Sequence, residues 1–172
     1  KTAGQMSRVD GAPLGTRGGV SVVHTFPADG DYTFRMDFFA EPLGMLFGNT
    51  VTGEQIEVSI DGERVALFDI DPRMNETTSS LSLKTVPVQV QAGPQRVTAA
   101  FLQRFEGPVN DLVAPIEHTM ADTEIGIAVG ITTLPHLRNL AIVGPHKVTG
   151  VSETVSRKKI FTCKPESAAD ER

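Results

Sequence analysis

Residues 31–39 read DYTFRMDFF, with Tyr32, Phe34, Met36 and Phe38 on alternate positions and Thr33, Arg35 and Asp37 between them. Successive side chains of an extended chain point to opposite faces. The pattern therefore predicts a strand with one buried and one wet face, as in an antiparallel sheet. QIEVSI (55–60) repeats it with Ile56, Val58 and Ile60, and Asp61-Gly62 separates it from RVALFDI (64–70). Asp-Gly between alternating runs is a strong hairpin signal, because both turn residues must take positive φ. GVSVVHTF (19–26) is rich in β-branched residues and runs into the turn-forming Pro27–Gly30. KTVPVQV (84–90), the turn QAGPQ (91–95) and RVTAAFLQRF (96–105) read as a second hairpin. Pro87 lacks an N–H and places the first of these at a sheet edge or strand start. HLRNLAIVG (136–144) reads as a last strand.

Six or more short strands, turn signals between them and no strong helical periodicity predict an all-β fold. The expected architecture is an antiparallel β-sandwich of jelly-roll type, with long loops and at most short helical turns. The expected organisation is a lead-in loop over 1–18, the sandwich over 19–145, and a linker over 146–172 toward a downstream domain absent from this chain. Two long connections, 40–54 and 106–124, exceed the usual loop length and are candidates for function or for packing over the core. The first contains PLGMLFG (42–48), an apolar stretch that reads as exposed.

A net charge of −5 supplies no field toward nucleic acid, and the basic run Arg157-Lys158-Lys159 is too short to offset it. No apolar run approaches the roughly 20 residues that span a membrane. One cysteine, Cys163, excludes an internal disulfide and any cysteine-rich metal site. The chain opens KTAGQ without Met, which reads as a mature or excised segment.

The usual catalytic signatures are missing: there is no Gly-x-Ser-x-Gly, His-Glu-x-x-His, Gly-Lys-Ser/Thr or Cys-x-x-Cys, and no catalytic residue is assigned. GAPLGTRGG (11–19) brings Arg17 into a glycine-rich stretch as a weak anion-binding candidate, but a strand follows it instead of a helix. His24, His118, His136 and His146 share no metal-ligand spacing. Acidic residues are more suggestive. Asp69, Asp71, Asn75 and Glu76 gather around a strand end, and Asn110 and Asp111 lie in the second long connection. Oxygen ligands at strand ends and loops suit calcium, so Asp69, Asp71, Asn110 and Asp111 are its candidate ligands, with solvated turn residues as the alternative. Asn75-Glu76-Thr77 matches a glycosylation acceptor. With no Trp, and Tyr32 on the expected core face, a platform for stacking sugar rings is not expected. Sugar recognition would run through polar groups or a cation.

The segments GTRGGVSVVHTFPADGDYTFR, VSIDGERV, VQAGPQRVTAAFL, LRNLAIVGP and SRKKIFTCKP follow one another in an order that resembles large multidomain bacterial proteins of planctomycete and acidobacterial type. These carry a cytochrome-c-type haem domain and several uncharacterised domains. The resemblance implies a β-sandwich like a carbohydrate-binding module, followed by a helical domain. It also implies a periplasmic or secreted location, and other domains of the same polypeptide as partners. On it, Ile160 and Phe161 would pack on the next domain and Cys163 would pair downstream. SIDGERV, AGPQRVTAAFL and RNLAIVG are also similar to calcium-dependent xylan-binding modules, in which an acidic or amide group before the last strand helps hold calcium beside the sugar. Here that position is His136. Nothing of the haem site lies in this chain, and calcium is the one cofactor the resemblance suggests.

The expected function is a non-catalytic module binding a polysaccharide through Arg138, Asn139, Asn110 and Asp111. The alternative is a structural module that docks neighbouring domains and has no ligand, motivated by the apolar stretch 42–48.

Overall fold

A computed structural model describes residues 7–104, 134–152 and 154–160. The chain forms β1 (Thr16–Phe26), β2 (Asp29–Phe38), β3 (Gln55–Ile60), β4 (Glu63–Asp69), β5 (Ser82–Lys84), β6 (Val88–Val90), β7 (Gly93–Leu102), β8 (Leu137–Val143), β9 (Val148–Gly150) and a short helix α1 (Val155–Ile160). The strands make two antiparallel sheets, one ordered β1-β7-β3-β4 and one built around β2. In the second, β5 and β6 pair with one side of β2 while β8 and β9 pair with the other. This is the expected all-β sandwich.

The alternation that opened the sequence builds its core. Tyr32, Phe34, Met36 and Phe38 are at most 1% exposed and face Ile56, Val58, Val97, Ala99 and Phe101 of the other sheet. Each large side chain buried in this way contributes about 1.5–3 kcal/mol. Phe26 meets Tyr32 edge-on at 4.8 Å near one end of the core, and Phe38 meets Phe101 at 6.3 Å near the other. The Asp61-Gly62 hairpin joins β3 to β4, with φ of 49° and 87°. Asp61 also ties the turn to β7, because its Oδ1 accepts the Arg96 N–H at 2.7 Å.

The expected second hairpin does not form. β6 pairs with β2, whereas β7 inserts between β1 and β3, so QAGPQ crosses from one sheet to the other. The Asp29 carboxylate holds that crossing by accepting the Ala92 N–H at 2.6 Å. β7 can be central because Thr98 and Ala100 keep its outer face small, and residues 97–101 are buried on both faces. The run 84–90 is also broken into two strands. At Thr85 the hydroxyl accepts the Phe34 N–H at 3.0 Å, and Pro87 has no N–H to continue the ladder.

Strand pairing reaches past both expected limits of the sandwich, since β1 begins at Thr16 and β9 returns to β2. The stretch 42–48 departs from expectation too. Leu46 and Phe47 are fully buried, and Leu43 is its exposed large hydrophobe at 73%. The Phe47 N–H bonds the Phe39 carbonyl at 2.9 Å and the Leu46 N–H bonds the Met74 carbonyl at 3.0 Å, which turns the loop into core.

Candidate functional site

The outer face of the β2 sheet collects polar side chains in rows. Asp37 lies opposite Ser82 of β5 on one side and Asn139 of β8 on the other. One row along, Arg35 lies between Lys84 and Ala141. Residues opposite one another share a face, so these six side chains form one surface. Its centre is Asp37. Arg35 Nε approaches Asp37 Oδ1 at 3.2 Å, and Asn139 Nδ2 donates to Asp37 Oδ2 at 3.2 Å. The carboxylate is thus held from two strands, with the Asp37 side chain 26% exposed and Arg35 50% exposed. Ala141 carries only a methyl group beside Arg35, and so lowers the surface there.

The same face continues toward β6 and β9. The Gln89 amide, oriented to satisfy both of its ends, donates to Asp31 Oδ1 at 2.9 Å and accepts from Thr149 Oγ1 at 3.0 Å. Thr33 Oγ1 lies 3.1 Å from His146 Nε2. The result is a row of acid, amide, hydroxyl, imidazole and guanidinium groups. Tyr32 lies in the core, where its hydroxyl donates to the Ala28 carbonyl at 2.8 Å.

Of the residues singled out from sequence, Asn139 lies in this cluster. Arg138 is exposed at the register shift between Asp37 and Phe38. Asn110 and Asp111 fall outside the described residues. Asp69 and Asp71 are occupied locally: Asp69 Oδ1 accepts from Gln55 Nε2 at 2.7 Å, and Asp71 Oδ1 accepts the Arg73 N–H at 2.9 Å. That backbone bond, and then the Arg73 side chain, hold the Asp71 carboxyl below its usual range. Among the described residues no three His, Cys, Asp or Glu side chains converge to hold a metal. Ile160 is 73% exposed, and Phe161 and Cys163 lie outside the described residues.

A buried polar cluster was not legible in the sequence. Arg17 forms an ion pair with Glu54 at the start of β1, with its guanidinium 5.1 Å from the centre of the Phe101 ring. The glycine-rich stretch around Arg17 does serve an anion, but the anion is an internal carboxylate. His136 lies 3% exposed just before β8, its ring 4.9 Å from that of Phe47, and its Nδ1 has no hydrogen-bond partner. Burial, and then the charge of Arg17, lower its pKa to about 4. His136 is therefore a neutral packing residue at pH 7. The signal for the cluster is the placement of Arg17 near the start of β1 and of Glu54 just ahead of β3.

These features define a two-sheet all-β module with a polar sheet face. No protein-family model matches the sequence, and no curated protein matches it. Among solved structures, the chain is similar to a family 35 carbohydrate binding module from an environmental isolate. The two share 9% identity with a TM-score of 0.38, over 88% of this chain and 91% of that one.

Proposed function

We propose that this chain is a non-catalytic binding module that holds a polysaccharide across the outer face of the β2 sheet. The observation that carries the reading is Asp37, fixed by Arg35 of its own strand and by Asn139 of β8 and still reaching solvent. A carboxylate accepts from two vicinal hydroxyls, while an amide and a guanidinium supply donors beside it. Ordered side chains lose little conformational entropy when a sugar arrives, so a modest number of hydrogen bonds can yield measurable affinity. Ser82, Lys84 and Arg138 extend the surface along a linear chain. The order of sequence segments supports a place in a larger periplasmic or secreted haem-containing polypeptide, where the module would keep polysaccharide near chemistry done elsewhere.

Retention on insoluble xylan, cellulose and chitin tests this reading. Binding to one of them that is lost in both Asp37→Ala and Asn139→Ala is the expected result. No retention on any of the three sinks it.

A second reading has its own support. Val148, Val151, Val155 and Ile160 are 59%, 47%, 73% and 73% exposed along one short stretch after β8. Exposed apolar residues close together suit docking against another domain of the same polypeptide, with no ligand required. Polypeptides extended on either side of this chain would bury these four residues on that reading, which hydrogen exchange over 148–160 would register as protection.

A further inference from the structure

The chain after β8 stays on the sandwich. The His146 N–H bonds the Asp31 carbonyl at 2.8 Å, and the Asp31 N–H bonds the Lys147 carbonyl at 3.0 Å. β9 continues the pairing, with Val148 opposite Gly30 and Gly150 opposite Asp29. Beyond β9 the contacts pass to Asp29 and Gly93. The Asp29 carboxylate accepts the Ala92 N–H at 2.6 Å, and this bond, more than the N–H and hydroxyl of Ser152, holds its carboxyl below the usual range. One side chain thus serves both the crossing between the sheets and the segment after β9. Two residues past Ser152, the Thr154 methyl packs over Gly93, 3.2 Å from where a Cβ would stand. Thr154 also starts α1: its Oγ1 accepts the Arg157 N–H at 3.1 Å, and its carbonyl accepts the Lys158 N–H at 2.9 Å. The residue that caps the helix is therefore the residue seated on the sandwich.

We propose that residues 146–160 are a rigid arm of the sandwich that presents α1 in one fixed orientation. A flexible tether would carry no ladder pairing, no shared carboxylate and no cap packed on a strand of the sandwich. The six described residues of α1 fall well short of the roughly 12–15 at which a helix becomes stable alone in water. Its order must come from its seat, which is Thr154 on Gly93 with Asp29 behind it. Arg157, Lys158 and Lys159 in the last turn suit the negative end of the helix dipole, a smaller contribution of the same sign. The arm concerns where α1 points, so it holds whether the β2 sheet face binds a sugar or the exposed apolar residues dock another domain. Its consequence is geometric. Val155 and Ile160 sit at a set position relative to the polar face of β2, and the chain beyond Ile160 leaves the sandwich in one direction.

Nuclear magnetic resonance on the 172-residue chain tests this. Backbone order parameters over 155–160 should be about 0.85, as in rigid strands, and residual dipolar couplings from α1 and from the sheets should fit one alignment tensor. Thr154→Ala removes both the cap and the methyl on Gly93. It should bring the order parameters over 155–160 below about 0.6 while leaving β2 and β9 unchanged. Asp29→Ala should loosen 152–160 in the same way, together with the crossing at 91–95; if that variant fails to fold, Thr154→Ala decides alone. Order parameters below about 0.6 in the parent chain, or separate tensors for α1 and the sheets, overturn the proposal. So does an α1 as ordered in Thr154→Ala as in the parent, because the seat on Gly93 would then not be what holds it.

Discussion

Arg17 of β1 and Glu54, 37 residues on and just ahead of β3, form an ion pair whose side chains are 6% and 5% exposed. The pair closes one end of the sandwich where β1, β3 and β7 meet, and Phe101 of β7 lies against the guanidinium. Desolvation lowers the Arg17 pKa, and Glu54 opposes that by attraction and hydrogen bonding. Removing one partner takes from the other its buried counter-ion. Arg17→Met and Glu54→Gln should each cost about 3–5 kcal/mol, and the double variant Arg17→Met with Glu54→Leu should recover most of it. Urea denaturation of the three variants checks this; additive losses in the double variant would show that the two residues act separately.

His136 predicts a pH dependence. Its folded pKa of about 4 lies below the ordinary 6.5, so the fold favours the neutral ring. The stability gained by burying that neutral ring is present above pH 6.5 and is lost as pH falls from 6.5 toward 4, to an upper limit of roughly 3 kcal/mol. Glu41 has the opposite slope. Burial raises its pKa, so its protonated form is favoured, and that contribution is lost as pH rises through the folded value. Melting curves from pH 4 to 7 should therefore show a slope that His136→Gln flattens and Glu41→Gln steepens. A profile unchanged by His136→Gln would mean that the ring is not buried neutral.

Gly48 is a position where backbone freedom and space both matter. Its φ is +84°, and an added Cβ would lie 2.4 Å from the Leu134 carbonyl carbon and the Pro135 nitrogen. Neither neighbour is a flexible side-chain end, so the clash can be relieved only by moving the chain that leads to His136 and β8. Gly48→Ala should destabilise the protein by more than about 2 kcal/mol, the sum of left-handed strain and displaced backbone. Chemical denaturation measures it, and a loss below 1 kcal/mol would show that the 134–136 segment is free to shift.

The parts of the fold carried by local pattern were legible in the sequence. Alternation gave β2 and β3, and the steric demand of Asp61-Gly62 for positive φ gave the β3–β4 hairpin. What failed was partner choice over distance. KTVPVQV and RVTAAFLQRF look like neighbours because they are close in sequence, yet the small residues Thr98 and Ala100 suit β7 to a central position in the other sheet. The site shows the same division. Asn139 could be proposed because polar residues on a half-buried strand must face outward. Its partner Asp37 belongs to a strand 102 residues away, and no local pattern announces that register. The buried pair Arg17–Glu54 is hidden for the same reason: Arg17 reads as a candidate for an outside anion, and nothing local names Glu54, 37 residues on, as its partner.

The loop 39–47 gives the sharpest contrast between composition and packing. Leu43 and Leu46 are three residues apart, and a reading by hydrophobicity treats them alike. Leu43 is 73% exposed, whereas Leu46 is fully buried in the core cluster with its N–H bonded to Met74. Leu46→Ala should thus cost about 2–5 kcal/mol, from lost transfer energy and the cavity left behind. Leu43→Ser should change stability by less than about 0.5 kcal/mol. Urea unfolding of both variants distinguishes a loop anchored in the core from an apolar patch held outside it. If the loop were such a patch, both variants would melt like the parent. With Leu46 as the anchor, losing it should also loosen the adjacent 41–45 turn, and amide exchange at Gly44, which bonds the Glu41 carbonyl, should quicken more in Leu46→Ala than in Leu43→Ser.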